Sequence, residues 1–112
     1  MVDMDVIEDF VGQVAREFQP EKIVLFGSHA DGTAGDDADV DVLVILPFEG
    51  KSFYKALEIL DKVKPHFPID LLVRTPEQVR YRLANNDFFL REIMENGKVL
   101  YEASYASSIV KD

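Results

Sequence analysis

Asp39 and Asp41 stand one residue apart at the head of the apolar run Val40, Val42, Leu43, Val44, Ile45. In a β-strand alternate side chains share a face, so both carboxylates point the same way. Two ionised carboxylates side by side repel unless a cation lies between them, and an all-oxygen donor set suits Mg²⁺ or another hard ion. Upstream, the strand-like run Lys22–Phe26 ends in Gly27-Ser28, where glycine permits a tight turn and close backbone approach and serine offers a hydroxyl and an amide to a phosphate. Downstream, Asp70 is the sole acid in the apolar run Pro68–Val73. If that run pairs with the Asp39/Asp41 strand, three carboxylates can hold two divalent ions about 3.5–4 Å apart, a clamp for the attacking and leaving oxygens of an in-line displacement at phosphorus. Phosphoryl chemistry is therefore the first reading of the chain.

Two other motifs compete for the same residues and fail. Gly27 and Gly32 have P-loop spacing, but Thr33 and Ala34 occupy the places of its Lys and Ser/Thr. Asp37, Asp39 and Asp41 imitate an EF-hand opening, but Val42 replaces its glycine and Phe48 its bidentate glutamate. The remaining acids of the segment, Asp31, Asp36 and Asp37, read as a solvated loop.

Positioning such a site requires a particular order of elements. Apolar residues from Asp5 to Phe18 recur at helical spacing, with Asp5 and Glu8 placed as a capping box, and Pro20 ends the helix. The strand Lys22–Phe26, an acidic loop, and a strand from Asp39 to Leu46 follow. Ser52 is a candidate cap for a helix carrying Phe53, Ala56, Leu57, Leu60 and Val63. A third strand, Pro68–Val73, leads into Thr75-Pro76-Glu77-Gln78, which has the form of a helix start with a capping box. A last helix from about Asn86 carries Phe88, Phe89, Ile93 and Met94, ends at Gly97, and precedes a short strand, Lys98–Tyr101. The two strands around the Gly-Ser turn are expected to be neighbours, and the helix between the second and third strands is a crossover linking parallel strands. The expected fold is α/β (α+β): a small mixed sheet with helices packed on it, one domain over 1–102 and a flexible tail over 103–112.

Composition narrows the partners. The 112-residue chain carries a formal net charge of −9, which argues against direct nucleic-acid binding, since that affinity comes from Lys and Arg displacing counterions. It has no cysteine, so disulfide frameworks and thiolate zinc sites are excluded, and a reducing cytoplasm is the expectation. No apolar run approaches a membrane span, and the acidic start lacks the basic n-region of a secretory signal.

With Gly27-Ser28, Ala30 and Gly32 followed by Asp39-Val40-Asp41, the chain resembles the nucleotidyltransferase superfamily that includes DNA polymerase β. Its length, the third acid, and the end Asn96-Gly97-Lys98-Val99-Leu100-Tyr101-Glu102 resemble the minimal nucleotidyltransferases of HEPN/MNT toxin-antitoxin pairs. The resemblance implies a polymerase β palm-like fold and two Mg²⁺ held by Asp39, Asp41 and Asp70. It also implies a triphosphate, with ATP as donor, contacted by Gly27 and Ser28, and transfer of AMP to a tyrosine of a HEPN-domain toxin. Asp70 would help activate the incoming hydroxyl. A homo-oligomer is compatible with it. His29 and Asp31 stand where relatives often carry Arg, and Ala38 where Ser is frequent. Arg74, Arg80 and Arg82 follow the third strand and are candidates to replace the lost charge, although a solvated helix face accounts for each as well. Two other readings stand beside the transferase: a binding module that neutralises a HEPN partner by occlusion, and a small-molecule nucleotidyltransferase, which would call for a further substrate domain. No template-binding segment supports a polymerase.

Overall fold

The computed structural model describes residues 1–104. In chain order the elements are α1 Met4–Phe18, β1 Lys22–Phe26, α2 Ser28–Asp31, β2 Val40–Ile45, α3 Ser52–Lys62, β3 Ile69–Arg74, α4 Pro76–Ala84, α5 Phe88–Asn96 and β4 Lys98–Glu102. The four strands form one sheet in the order β3-β2-β1-β4. β1 runs antiparallel to both β2 and β4, whereas β2 and β3 are parallel and joined through α3. This is the expected mixed sheet, with the crossover where the sequence placed it.

The period-two alternation of β2 sorts the molecule into layers. Val40, Val42 and Val44 join Ile7, Phe10, Val11 and Val14 of α1 and Ile59 of α3 in one core cluster. Leu43 and Ile45 point the other way, into a second cluster with Val79 of α4 and Leu90 and Ile93 of α5. The sheet is thus buried on both faces, which is why β2 reads as nearly continuous apolar sequence. Asp41 belongs by alternation to the α4/α5 face, one step beyond Leu43, and Asp70 stands in the same relation to Leu72 on β3. Both acids therefore sit where that face emerges from beneath its helices.

The caps show which local signals held. At α4 Gln78 N–H donates to Thr75 Oγ1 over 3.0 Å and Thr75 N–H donates to Gln78 Oε1 over 2.9 Å, so the capping box is formed. Thr75→Ala is expected to cost about 1 kcal/mol. A thermal melt should read that as a fall of roughly 4–8 °C, with Thr75→Ser close to wild type. The box expected of Asp5 and Glu8 is not formed: α1 begins at Met4 with Asp3 as its cap residue, leaving Asp5 inside the first turn, where its charge favours the positive helix end. Ser52 is likewise the first helical residue, not the cap, a place taken by Lys51 without a side-chain bond. Phe88 and Phe89, expected to help anchor the last helix, are 75% and 60% exposed; Leu90 and Ile93 carry its packing. None of the helices among the described residues is long and apolar enough to cross a membrane. Ala103 is buried, and its N–H donates to Glu21 O; the remainder of the expected tail, 105–112, lies outside the described residues.

Candidate active site

The parallel register of β2 and β3 pairs Asp41 directly with Asp70, on strands spaced about 4.8 Å apart. On its other side Asp41 is paired with Phe26, the last residue of β1. Asp39 precedes β2 by one residue, and the start of the strand is tied down by Val40 N–H donating to Pro68 O. The sheet thus brings the three predicted acids to one edge of one face. Asp41 is half-buried, while Asp39 and Asp70 are exposed. Burial pushes the Asp41 pKa above the usual carboxylate range, the negative charges of Asp70 and Asp39 push it further, and the nearby His29 opposes them. Among the described residues no three His, Asp or Glu side chains are already gathered into a metal-binding group. The register sets Asp41 beside Asp70, with Asp39 one residue before β2. The donor chemistry nevertheless suits a hard divalent cation, because such an ion relieves the repulsion that raises Asp41.

Gly27 shapes the same place. Its φ of 72° and ψ of −154° belong to a region essentially reserved for glycine, and a Cβ there would drive into the Asp41 carboxylate. Gly27→Ala is therefore expected to lower stability by about 1–3 kcal/mol and to displace Asp41. Chemical denaturation checks the first effect and a nucleotide-transfer assay the second. Ser28 opens α2, a single helical turn in a segment expected as loop, and its carbonyl accepts from Gly32 N–H and Thr33 N–H at 3.0 Å each. The turn places Gly27, Ala30 and Asp31 along a cleft of about 380 Å³ whose other lining includes Phe26, Asp41 and Asp70. Ser28 itself is not part of that lining.

The far wall of the cleft is α5. Phe89, Glu92, Ile93 and Asn96 line it, a spacing of three, four and seven residues that places them on one helical face. Gly97 presses the end of α5 against β1, leaving no room for a Cβ beside the Ile93 carbonyl, Val24 and the Leu25 carbonyl. This wall was not foreseen. The signal for it was the same i, i+3, i+4, i+7 pattern, read along a stripe that mixes aromatic and polar residues in place of a uniformly apolar one. Asp31 was also assigned to solvent. It is exposed yet lines the cleft, and its carboxylate accepts from the Thr33 hydroxyl and, to a lesser degree, the Thr33 amide, which lower its pKa.

The candidate cations are elsewhere. Arg74 lies four residues beyond Asp70 on β3, roughly 13 Å along the strand, and donates to the Val73 carbonyl over 2.7 Å. Arg80 faces Glu77 and Arg82 faces Asp87. His29 is neither exposed nor on the cleft wall: it is 7% exposed, and its Nε2 accepts from Val2 N–H over 3.1 Å. Among the described residues the cleft lining holds four carboxylates, those of Asp31, Asp41, Asp70 and Glu92, and no Lys or Arg. A larger concavity of about 670 Å³ runs along α4 past Tyr81 and Asn85, but it contains none of the three aligned acids.

Known proteins share this fold. A curated relative from Methanocaldococcus jannaschii, named "Putative protein adenylyltransferase MJ0604", is 28% identical over 105 residues, spanning 90% of this chain and 100% of its own. The crystal structure of a putative nucleotidyltransferase from Sulfolobus solfataricus superposes with a TM-score of 0.61 at 18% identity, covering 88% of this chain and 78% of that one. A toxin-antitoxin structure with AMP-PNP gives 0.54 at 21% identity over 93% of this chain and 82% of that one. A mutant of the toxin-antitoxin MntA-HpeT gives 0.55 at 15% identity over 93% and 81%. At these identities the structural likenesses speak to the fold. The model of the nucleotidyltransferase domain family matches residues 7–100, nearly the whole of the α/β unit described above, and the chain belongs to that family.

Proposed function

We propose that this nucleotidyltransferase moves AMP from ATP to a hydroxyl of a partner protein, with Asp39, Asp41 and Asp70 as its metal-binding acids and a HEPN-domain toxin as the partner. The observation that carries the reading is the Asp41–Asp70 register at the rim of a cleft that also contains the Gly27 turn. Divalent cations bound there would supply charge neutralisation for the triphosphate and align the attacking and leaving oxygens. Asp41 would hold them from β2, Asp39 from the residue before that strand, and Asp70 from β3. Gly27 keeps the approach clear, since any side chain would occupy the space beside Asp41. In the transfer, a bond forms between the acceptor oxygen and the α phosphorus as the bond to the β-phosphate oxygen breaks. Pyrophosphate leaves, and the hydroxyl proton passes to Asp70 or to water.

Support for a protein acceptor comes from the adenylyltransferase name of the M. jannaschii relative and from two toxin-antitoxin assemblies among the structural neighbours. In one of them the mutant replaces two aspartates separated by a single residue with glutamate, the spacing of Asp39 and Asp41. The shape of the site agrees: the acids are at an open rim, where an acceptor can be presented by another molecule. The test is incubation of the chain with ATP labelled at the α phosphate, Mg²⁺ and a HEPN-domain candidate partner. Label is expected on a partner tyrosine, and not when Asp39→Asn and Asp41→Asn are combined. A partner that stays unlabelled while its toxicity is suppressed identifies a binding module that acts by occlusion.

A further inference from the structure

Phe89 occupies a place that packing does not explain. It is 60% exposed at the start of α5, outside the core that Leu90 and Ile93 build, yet its ring lines the cleft that also contains Asp41 and Asp70. Phe26 holds that ring from the side, edge to face, with centroids 5.9 Å apart and planes at 82°. Phe26 is itself paired with Asp41, so the aromatic pair is registered to the acids through β1. A large apolar ring exposed in a cleft and fixed by a neighbour is a preformed stacking surface, because little side-chain freedom is left to lose when a flat ligand covers it.

The residues next along the same face give the surface an edge. Asn96 Nδ2 donates to Glu92 Oε2 over 2.8 Å, which leaves the Asn96 carbonyl oxygen and the second Glu92 oxygen as acceptors. Gly97 fixes this end of α5 on β1, so ring and acceptors keep their spacing from the sheet. A cleft of about 380 Å³ whose lining combines the paired acids, an aromatic ring and hydrogen-bond acceptors has the size of a nucleotide site.

We infer that the purine base of the donor triphosphate stacks on Phe89, with its edge toward Glu92 and Asn96, while the phosphates lie at the Gly27 and Asp41 end. This rests on the transferase reading and adds to it the wall that selects the donor. Phe89 is the anchoring group, and Phe26 is the positioning residue behind it.

The test compares Mg²⁺-dependent binding of α,β-methylene-ATP, whose P–C–P link blocks transfer, with binding of inorganic tripolyphosphate, by calorimetry on wild type, Phe89→Ala and Phe89→Trp. Phe89 is exposed, so both variants should fold, and a melt confirms it. Loss of one stacking partner is expected to weaken the nucleotide about tenfold in Phe89→Ala, with Phe89→Trp at or above wild type. Tripolyphosphate should bind all three alike. Equal nucleotide affinity in wild type and Phe89→Ala overturns the base shelf and leaves the transferase reading standing, as does an equal loss of tripolyphosphate. Absence of nucleotide binding to the wild type overturns both.

Discussion

Asp41→Asn is expected to make the protein more stable and to abolish nucleotide transfer. The carboxylate lies between Phe26 on β1 and Asp70 on β3, half-buried, with Asp39 two residues upstream. A like charge directly across a strand pair is unfavourable, and replacing one member by a neutral side chain should gain about 0.5 kcal/mol. For a domain of this size that is roughly 2–4 °C in a melt recorded in EDTA. Transfer should fall by at least about 10³-fold, because the substitution removes a ligand from the metal-binding acids and charge stabilisation of the transition state with it. With Mg²⁺ added the order of melting should reverse, since the wild type gains a counter-ion that the variant holds weakly. A variant that melts below wild type in EDTA, or that still labels the partner, would refute the placement of Asp41 at the site.

The sign of the pH dependence follows from the same environment. Burial, Asp70 and Asp39 raise the Asp41 pKa in the folded protein above its ordinary 3.8. Between 3.8 and the raised value the native state binds the proton more tightly than the unfolded chain does, so stability falls as pH rises through that window. The penalty is complete above the raised pKa and vanishes below 3.8. The advantage of Asp41→Asn over wild type in EDTA should therefore be greatest near neutrality and close as the solution is acidified. An advantage that grows toward acid would mean that Asp41 is stabilised as the anion, contrary to its surroundings.

Why the sheet was readable and the cleft wall was not has a physical basis. Strand alternation and short turns are local, and Val40 to Ile45 encodes both faces of the sheet in six consecutive residues. Parallel pairing of the two apolar runs was legible because a helix separates them, whereas the register that sets Asp70 opposite Asp41 was a condition the sequence left open. The α5 wall depends instead on how a helix lies on a sheet, and Phe89 carries the same sequence signal whether its ring faces core or cleft. His29 illustrates the same limit: a histidine two residues past Gly27 is read equally as a phosphate contact or an exposed side chain, but it is buried, and the partner of its Nε2 is Val2, twenty-seven residues away. The cap at Thr75 was read correctly because both halves of its box lie within four residues, whereas the Asp5 box lost to a helix that starts earlier.

Removal of divalent cations is expected to eliminate nucleotide binding altogether. A triphosphate beside Gly27 and Asp41 meets Asp31, Asp41 and Asp70, and among the described residues the cleft lining, which also includes Glu92, holds no Lys or Arg. Unit charges of the same sign 4 Å apart repel by about 1 kcal/mol in water and about 4 kcal/mol near a protein surface. Several such pairs correspond to a loss of at least about 10³-fold in affinity. Calorimetry with α,β-methylene-ATP should therefore give a normal isotherm in Mg²⁺ and none in EDTA, and monovalent salt should not replace the divalent ion, because screening weakens repulsion without creating attraction. Asp31→Arg supplies the complementary test. It places a cation on the α2 side of the cleft and sacrifices only the exposed bonds to Thr33. That variant should tighten Mg²⁺-nucleotide binding by roughly tenfold, in the range of one charge-assisted contact, and restore measurable binding in EDTA. Wild-type affinity that is the same in Mg²⁺ and EDTA would place the triphosphate outside this cleft. An Asp31→Arg variant with unchanged affinity would mean that the phosphates run along the β2–β3 side, away from α2.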